Sequence, residues 1–160
     1  VQRGVLRIRT LESWLYRDET IRVLLTYQEL RGLQAAAGAQ ITAQEVIETA
    51  QFKVGSSSGG QIELDIQVDK LDGNASEGGL LRLSGKAQSQ DIQVSTGGQY
   101  HAFDLEVEHT YVRSNTGGQA EVVAQKLLEA TANTGGTIVY KGTPKTRHIK
   151  TLLAGEVEAY

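Results

Sequence analysis

The sequence predicts an all-β, single-domain parallel β-helix, a solenoid whose short coils stack along one axis. The first observation is a glycine pair that returns in steps of 19, 19, 20, 18 and 19 residues. A period this regular is typical of stacked repeats rather than of one ordinary globular core. The segment AAAGAQI (residues 35–41) is an earlier copy with Ala39 in place of the second glycine, which makes seven copies. The second glycines are Gly60, Gly79, Gly98, Gly118 and Gly136, and in the last copy Gly155 follows Ala154 instead of a first glycine.

The second observation is an alternation of apolar and polar residues after each glycine pair. In the copy that follows Gly60, the apolar residues Ile62 and Leu64 flank Glu63. Alternation with a period of two predicts a β-strand with one buried and one solvated face. The equivalents of Ile62 in the other copies are Ile41, Leu81, Tyr100, Ala120, Ile138 and Val157.

A second short strand is predicted before each glycine pair. A strand-helix-strand unit needs about 30 residues or more, which the observed period does not provide. Antiparallel hairpins would reverse every second strand, whereas a parallel β-helix keeps all copies in one orientation. At the usual strand spacing, the coils span roughly 30 Å. The equivalent positions of the second strand are Leu33, Val54, Gly73, Ile92, Val112, Ala130 and Ile149.

Polar residues precede the glycines and are expected to form the corners of the coils. Hydroxyl and amide side chains hydrogen-bond to nearby backbone, which suits places where the chain turns without a ladder partner. The residues three positions before the second glycine are Ser57, Ser76, Ser95, Asn115 and Asn133.

Three segments depart from the repeat. In the fourth repeat, the alternation of inward and outward residues is expected to shift at Phe103, with a bulge or bend near Ala102. The period predicts strand rather than helix for residues 121–132, and Pro144 is expected to mark a protruding turn. The residues expected to point inward after the shift are Phe103, Leu105 and Val107.

Residues 1–30 lack the glycine pair and are predicted to form the N-terminal cap of the same domain, with residues 31–160 forming the repeats. Alternation and β-forming residues predict strands at residues 5–9 and 21–27. The ends of a solenoid need atypical units to cover the stack, and Trp14 is the expected plug.

Composition narrows the function classes. The chain has 160 residues and 39% apolar content, enough for a continuous core, and its net charge of −3 argues against nucleic acid as a partner. The absence of cysteine excludes disulfides, thiolate nucleophiles and cysteine-ligated metals. No apolar run reaches the roughly 18 residues of a membrane span. Because the sequence lacks methionine and begins at Val1, a trimmed mature domain or a recombinant fragment is expected, and any signal or anchor would have been lost with the N-terminus.

Motifs for ions and cofactors are absent from the repeats. Calcium-binding β-rolls need G-G-x-G-x-D, but here the residue two positions after the second glycine is apolar. The segment GKA (residues 85–87) lacks the Ser or Thr that ends a phosphate-binding loop. His101, His109 and His148 lack the close spacing of a helical zinc pair. The sequence therefore predicts no metal site and no cofactor.

One charged cluster is a candidate for polysaccharide lyase or hydrolase chemistry. Glycoside hydrolysis requires two carboxyl groups at a suitable separation. Charges of mixed sign are also what the solvated face of a strand requires, so we assign no catalytic residue. The cluster comprises Asp91, His101, Asp104, Glu106 and Glu108, with Glu63 and Arg82 one or two coils away. Stacking predicts one outer row that comprises Glu63, Arg82, His101 and Glu121.

Other candidates for ligand contact are a basic stretch and three tyrosines. Tyr111 could stack on a sugar ring, whereas alternation places Tyr100 and Tyr140 inward. The basic stretch could contact an acidic glycan or lipid surface, although such a run is usually a solvated loop. It comprises Lys141, Lys145, Arg147, His148 and Lys150.

The whole pattern resembles a bacterial family, the auto-transporter adhesin head GIN domain. The resemblance covers about residues 5–160 and rests on the repeated S-x-x-G-G or N-T-G-G, the lead-in IRVLLTYQELRGLQ and the closing GGTIVYKGTPKTRHIKTLLAGEVE. It implies a right-handed parallel β-helix on exported or envelope proteins. It brings no catalytic motif.

The expected function is therefore non-enzymatic. We expect an exported or cell-envelope module that binds a glycan or a surface protein through an extended β-face. One alternative is an envelope scaffold that self-associates by stacking its end coils or edges, because an open edge offers unpaired backbone groups. A second alternative is a carbohydrate-active β-helix enzyme.

Overall fold

The computed structural model describes residues 4–9 and 21–160, and eleven strands in these ranges form one sheet that winds into coils. Every ladder between them is parallel. In these two ranges there is no helix that could cross a membrane. The strands are β1 (Gly32–Ala35), β2 (Gln40–Thr42), β3 (Ile47–Ser56), β4 (Gln61–Ala75), β5 (Leu80–Val94), β6 (Gln99–Asn115), β7 (Gln119–Val123), β8 (Leu127–Asn133), β9 (Thr137–Lys141), β10 (Thr146–Leu152) and β11 (Glu156–Ala159).

The register of the ladders confirms the parallel β-helix and its seven copies. Ile62 of β4 pairs with Ile41 of β2 on one side and with Leu81 of β5 on the other. Each residue therefore stacks on its equivalent in the next coil, as the spacing predicts. The complete ladder is Ile41, Ile62, Leu81, Tyr100, Ala120, Ile138 and Val157. The second predicted ladder is Leu33, Val54, Gly73, Ile92, Val112, Ala130 and Ile149.

The core is a narrow column of aliphatic side chains along the axis. Ile62, Leu64 and Ile66 are successive inward residues of one coil, and none is more than 3% exposed. Burial of one such side chain contributes about 1.5–3 kcal/mol. Tyr100 and Tyr140 point inward as alternation predicts, with 0% and 5% of their surface exposed.

Two buried polar side chains and one tyrosine hydroxyl satisfy one another inside this column. The Tyr100 hydroxyl donates to Gln90 Oε1 at 2.7 Å, and Gln90 Nε2 donates to Thr110 Oγ1 at 3.0 Å. The Thr110 hydroxyl donates to the Val123 carbonyl at 2.6 Å. Burial raises the pKa of Tyr100, so that its hydroxyl stays protonated and remains a donor. The network connects β5, β6 and β7.

Each glycine-pair corner is a tight turn. Before β4, the φ of Ser58 is 49° and that of Gly59 is 73°. The Gly60 amide donates to the Ser57 carbonyl at 2.9 Å. Positive φ at both central residues defines a type I′ turn. The Gly59 amide donates to the Glu77 carbonyl of the next coil at 3.2 Å, so the corners also form a ladder.

At most corners, the second glycine is required by the closeness of the coils; Gly118 is the exception, with its nearest atoms 3.0 Å from the Cβ position. A Cβ atom at Gly60 would lie 2.5 Å from the Ala35 carbonyl oxygen, and one at Gly98 would overlap the Ala75 carbonyl. The first glycine differs, because Gly97 has open space around its Cβ position and a φ of 69°. One glycine thus permits the turn and the other permits the stacking.

The predicted bulge is confirmed near Ala102, but the predicted direction of Phe103 is wrong. Arg82 pairs with His101 and Ser84 pairs with Asp104, so two residues of β6 oppose one residue of β5. Ala102 remains inward and is 1% exposed. The extra residue turns Phe103 outward, where it is half-buried. The residues that resume the inward phase are Leu105 and Val107.

Two segments that depart from the repeat, residues 121–132 and the segment around Pro144, follow the sequence prediction only in part. Residues 121–132 form strand rather than helix, interrupted at residues 124–126 between β7 and β8. The expected protruding turn at Pro144 is wrong, because Pro144 is buried. The corner closes on the preceding coil: the Ala124 amide donates to the Lys141 carbonyl at 2.9 Å. Gly142 lies so close to Ala124 that a side chain would overlap its carbonyl oxygen.

The two strands predicted in the N-terminal region are absent. Residues 6–9 and 21–27 belong to no strand, and Val5 makes only an isolated bridge. Leu24 is 93% exposed. β-forming side chains do not make a strand without a neighbouring ladder and a face to bury. Trp14 lies outside the described residues.

Candidate functional site

The coil register assembles the predicted outer row on the strands that follow the glycine corners. Glu63 pairs with Arg82, Arg82 with His101, and His101 with Glu121. Their side chains point to solvent because they alternate with the inward residues of β4, β5, β6 and β7. Residues paired in adjacent parallel strands lie about 4.8 Å apart, so the row forms a continuous strip of charge.

A groove runs along this strip beside the bulge, and we call it the bulge groove. It is an open depression on the sheet face with a volume of about 470 Å³. Bulges often occur where a strand redirects a side chain toward a functional surface. Here the bulge turns Phe103 onto the groove wall. The residues that line the groove are Glu63, Leu64, Arg82, Leu83, Ser84, His101, Phe103, Asp104, Glu121 and Lys141.

An aromatic pair holds the lysine at the rim of the groove. The ring centroids of Phe103 and Tyr160 lie 5.1 Å apart with an interplanar angle of 60°. Lys141 Nζ lies 4.1 Å from the Phe103 centroid and 4.2 Å from the Tyr160 centroid. Each cation–π contact at an exposed site contributes about 0.5–1 kcal/mol. The ammonium group is therefore positioned by two rings rather than left free in solvent.

Two side-chain contacts connect neighbouring members of the row. His101 Nδ1 lies 2.7 Å from Glu121 Oε2. An ionised carboxylate only accepts, so Nδ1 carries the proton and Nε2 is left for other partners. Arg82 Nη1 lies 3.9 Å from Glu63 Oε2, and their side chains are 57% and 65% exposed. A pair this exposed contributes only about 0–1 kcal/mol, which leaves its groups available to a ligand.

The structure divides the charged cluster predicted from the sequence. His101 and Asp104 line the groove with Glu63 and Arg82. The other three members lie on different outer rows and form their own pairs. These pairs are Asp91 with Arg113 at 3.7 Å, Glu106 with Lys86 at 3.5 Å, and Glu108 with Lys126 at 2.7 Å. The last hydrogen bond lowers the pKa of Glu108.

The basic stretch is divided as well. Lys141 reaches the groove, whereas Lys145, His148 and Lys150 are exposed elsewhere on the last copy. Arg147 Nη1 donates to the Tyr140 hydroxyl at 3.1 Å. The stretch therefore does not form one basic patch.

The sequence did not indicate Phe103 or Tyr160 as site residues, and it indicated Lys141 only as a member of the basic stretch. The only signal was the break in alternation near Ala102, which indicated a bulge but not its outward residue. No signal in the sequence joins Phe103 to Lys141 and Tyr160, which are 38 and 57 residues further along the chain. Across residues 4–9 and 21–160, no group of three or more His, Asp or Glu side chains could hold a metal ion.

Comparison with known proteins identifies the family and the fold. A family described as "Putative auto-transporter adhesin, head GIN domain" matches residues 1–144. The crystal structure of a protein described as a "putative adhesin" from Bacteroides fragilis NCTC 9343 aligns with a TM-score of 0.76 and 20% identity. The alignment covers 82% of this chain and 61% of that one, so this chain spans about three-fifths of its structural neighbour. No curated protein shows significant similarity.

Proposed function

The chain belongs to the auto-transporter adhesin head GIN domain family, and we propose that it is a non-enzymatic, exported or cell-envelope module that binds its ligand in the bulge groove. The family description and the description of the structural neighbour support an adhesin-like role. The observation that carries the location is the groove itself. At the bulge, the solenoid presents an aromatic ring together with acidic and basic groups on one open wall.

The rigidity of the wall supports binding. Each strand that contributes a groove side chain is paired in the parallel sheet. The backbone of such a framework need not rearrange when a ligand arrives, which favours affinity. An extended repeat surface is also the usual binding platform of solenoid proteins.

The character of the groove favours binding over hydrolysis. A glycosidase keeps one carboxyl group protonated by placing it in an apolar pocket. Glu63 instead has 65% of its side chain exposed beside Arg82, and Asp104 is exposed on the open wall. Glu121 is engaged by His101. Glu63 and Asp104 are therefore open to accept hydrogen bonds from an incoming molecule.

A retention assay tests this proposal. The 160-residue chain is incubated with bacterial envelope fractions and with cell-wall and host polysaccharides, and retained protein and soluble fragments are scored together. We expect retention without fragments, and loss of retention in Phe103→Ala. Tyr111→Ala is the matched control, because Tyr111 is an outward, half-buried aromatic residue on another row.

The outcomes separate the alternatives. Equal loss in both variants, or no loss in either, would place the binding surface outside the groove. Release of soluble fragments would contradict the non-enzymatic role and support a carbohydrate-active enzyme. Asp104→Asn then decides whether the groove acids take part in that activity.

Self-association through the last coil is a second candidate. The whole of β10 is exposed, and Ile149, Leu152 and Leu153 are 46%, 46% and 76% exposed. A strand with an unpaired edge and apolar side chains is suited to pairing with another copy. Sedimentation velocity over a range of concentrations tests this candidate. Assembly that rises with concentration and disappears in Leu152→Lys supports it, and a monomer at all concentrations excludes it.

A further inference from the structure

The charge balance of the bulge groove limits the chemistry of its ligand. Three acidic residues, Glu63, Asp104 and Glu121, share the wall with two basic residues, Arg82 and Lys141. A strongly anionic ligand would meet the carboxylates, and a strongly cationic ligand would meet the guanidinium and ammonium groups. Acceptors and donors placed side by side instead match a molecule that carries many neutral hydroxyl groups, each of which both donates and accepts.

The backbone geometry of the wall disfavours an extended peptide. A peptide that adds a strand needs a sheet edge with unpaired backbone groups. The groove lies on a sheet face: β5 is paired with β4 on one side and with β6 on the other. Recognition must therefore use side chains. A lipid chain is also disfavoured, because six of the ten groove residues carry charged or imidazole groups rather than forming a contiguous apolar patch.

Phe103 supplies the apolar component of the site. Lys141 Nζ lies over one face of its ring and Tyr160 packs against the ring, so a ligand can contact only the part of Phe103 that lines the groove. An aromatic surface beside hydrogen-bonding groups offers contact to the C–H bonds of a ring whose hydroxyl groups point sideways. Nε2 of His101 and the hydroxyl of Ser84 add polar partners on the same wall.

We infer that the ligand of the bulge groove is a neutral carbohydrate, with one sugar ring against Phe103 and its hydroxyl groups hydrogen-bonded by the groove acids and by Arg82. This inference rests on the proposed function and specifies its ligand class. The charged residues of the wall act on the sugar as acceptors and donors, and no covalent step is involved. Binding should therefore depend weakly on salt, because no net charge is neutralised.

The direct test uses the 160-residue chain and oligosaccharides of the glucan, mannan and chitin series, with polygalacturonate as the acidic comparison. We expect at least one neutral series to bind, with little change in Kd between low and high salt. Phe103→Ala and Asp104→Asn should each weaken binding by about tenfold, which corresponds to the loss of one good contact. Tyr111→Ala and Asp69→Asn, which alter an outward aromatic and an exposed aspartate outside the groove, should change Kd by less than about twofold.

A second arm separates failure of this inference from failure of the proposed function. Envelope fractions that retain the chain are treated with periodate, which oxidises sugar diols, or with protease, before the chain is added. Retention that periodate abolishes and that is lost in Phe103→Ala supports a carbohydrate. Retention that protease abolishes, but that still depends on Phe103, overturns the carbohydrate and leaves the groove as a binding site for protein.

Two further outcomes overturn both proposals: no retention of the unmodified chain, or retention that is indifferent to Phe103→Ala and Asp104→Asn. Binding of polygalacturonate alone, with a steep salt dependence, overturns the neutral class. Folding of each variant is checked by its β-sheet circular dichroism. Asp104→Asn keeps the test valid if Phe103→Ala is unstable, because Asp104 is exposed.

Discussion

The glycine-pair corners and the bulge groove lie on neighbouring parts of the same coils, but different physical constraints act on them. At a corner, the backbone of one coil touches the backbone of the next, and a side chain at Gly98 would overlap the Ala75 carbonyl. At the groove, side chains point into solvent and their identity changes from coil to coil, from Glu63 to Arg82 to His101. The repeated part of the chain therefore provides stability, and the varied part provides a surface.

The largest loss of stability is expected from a substitution at a glycine-pair corner. Gly98→Val should destabilise the protein by about 3 kcal/mol or more, because the coils must separate to accept the side chain. Gly97→Ala should cost less, about 1 kcal/mol, because only its left-handed φ of 69° is disfavoured. Thermal denaturation checks both, at roughly 2–4 °C per kcal/mol for a chain of this size. An unchanged melting temperature for Gly98→Val would contradict the role of the second glycine.

The bulge is tested by substitutions at Phe103 and Leu105, which have a single residue between them in the sequence. Leu105→Ala should destabilise by about 2–5 kcal/mol, because Leu105 is 0% exposed and its removal leaves a cavity. Phe103→Ala should cost clearly less, since Phe103 is half-buried on the outer face. Chemical denaturation measures both free energies of unfolding. A larger effect for Phe103 would mean that the inward phase follows the sequence prediction instead.

The buried polar network should contribute a smaller amount. Tyr100→Phe removes the donor to Gln90 Oε1 and leaves a buried acceptor unpaired, which should cost about 1–3 kcal/mol. The matched control is Tyr140→Phe, whose hydroxyl bonds Arg147 rather than the core network. Equal stabilities of the two variants would show that the network adds nothing beyond apolar packing.

The smallest effect concerns a surface pair away from the groove. The hydrogen bond from Lys126 lowers the pKa of Glu108, so the pair stabilises the fold above the ordinary glutamate pKa of about 4.3 and this contribution is lost as the pH falls through the lowered value. Lys126→Gln should raise the pKa of Glu108 toward its ordinary value. An NMR titration of the Glu108 side chain measures the change, and an unaltered titration would show that the pair is not populated in solution.

Much of the architecture was predictable because it is set by local, repeated constraints. The glycine pair, the alternation around Ile62 and the step between copies together specify which residues stack, and the observed ladders follow that prediction. The N-terminal segment shows the limit of such reasoning. Residues 21–27 have the composition of a strand, yet they pair with no ladder among the described residues. β-propensity reports a fit to a half-buried surface and cannot supply that surface.

The sequence by itself determined the period, the direction of the strands, the corners and the outer row from Glu63 to Glu121, because each depends on steric rules that act within one copy or between identical positions of adjacent copies. Only the tertiary structure decided which side chains come together in the wall of the groove. Phe103 turned outward because one extra residue entered β6, and its partners Lys141 and Tyr160 arrive from later parts of the chain. Side chains from different coils meet through packing in three dimensions, for which the sequence carries no repeated signal.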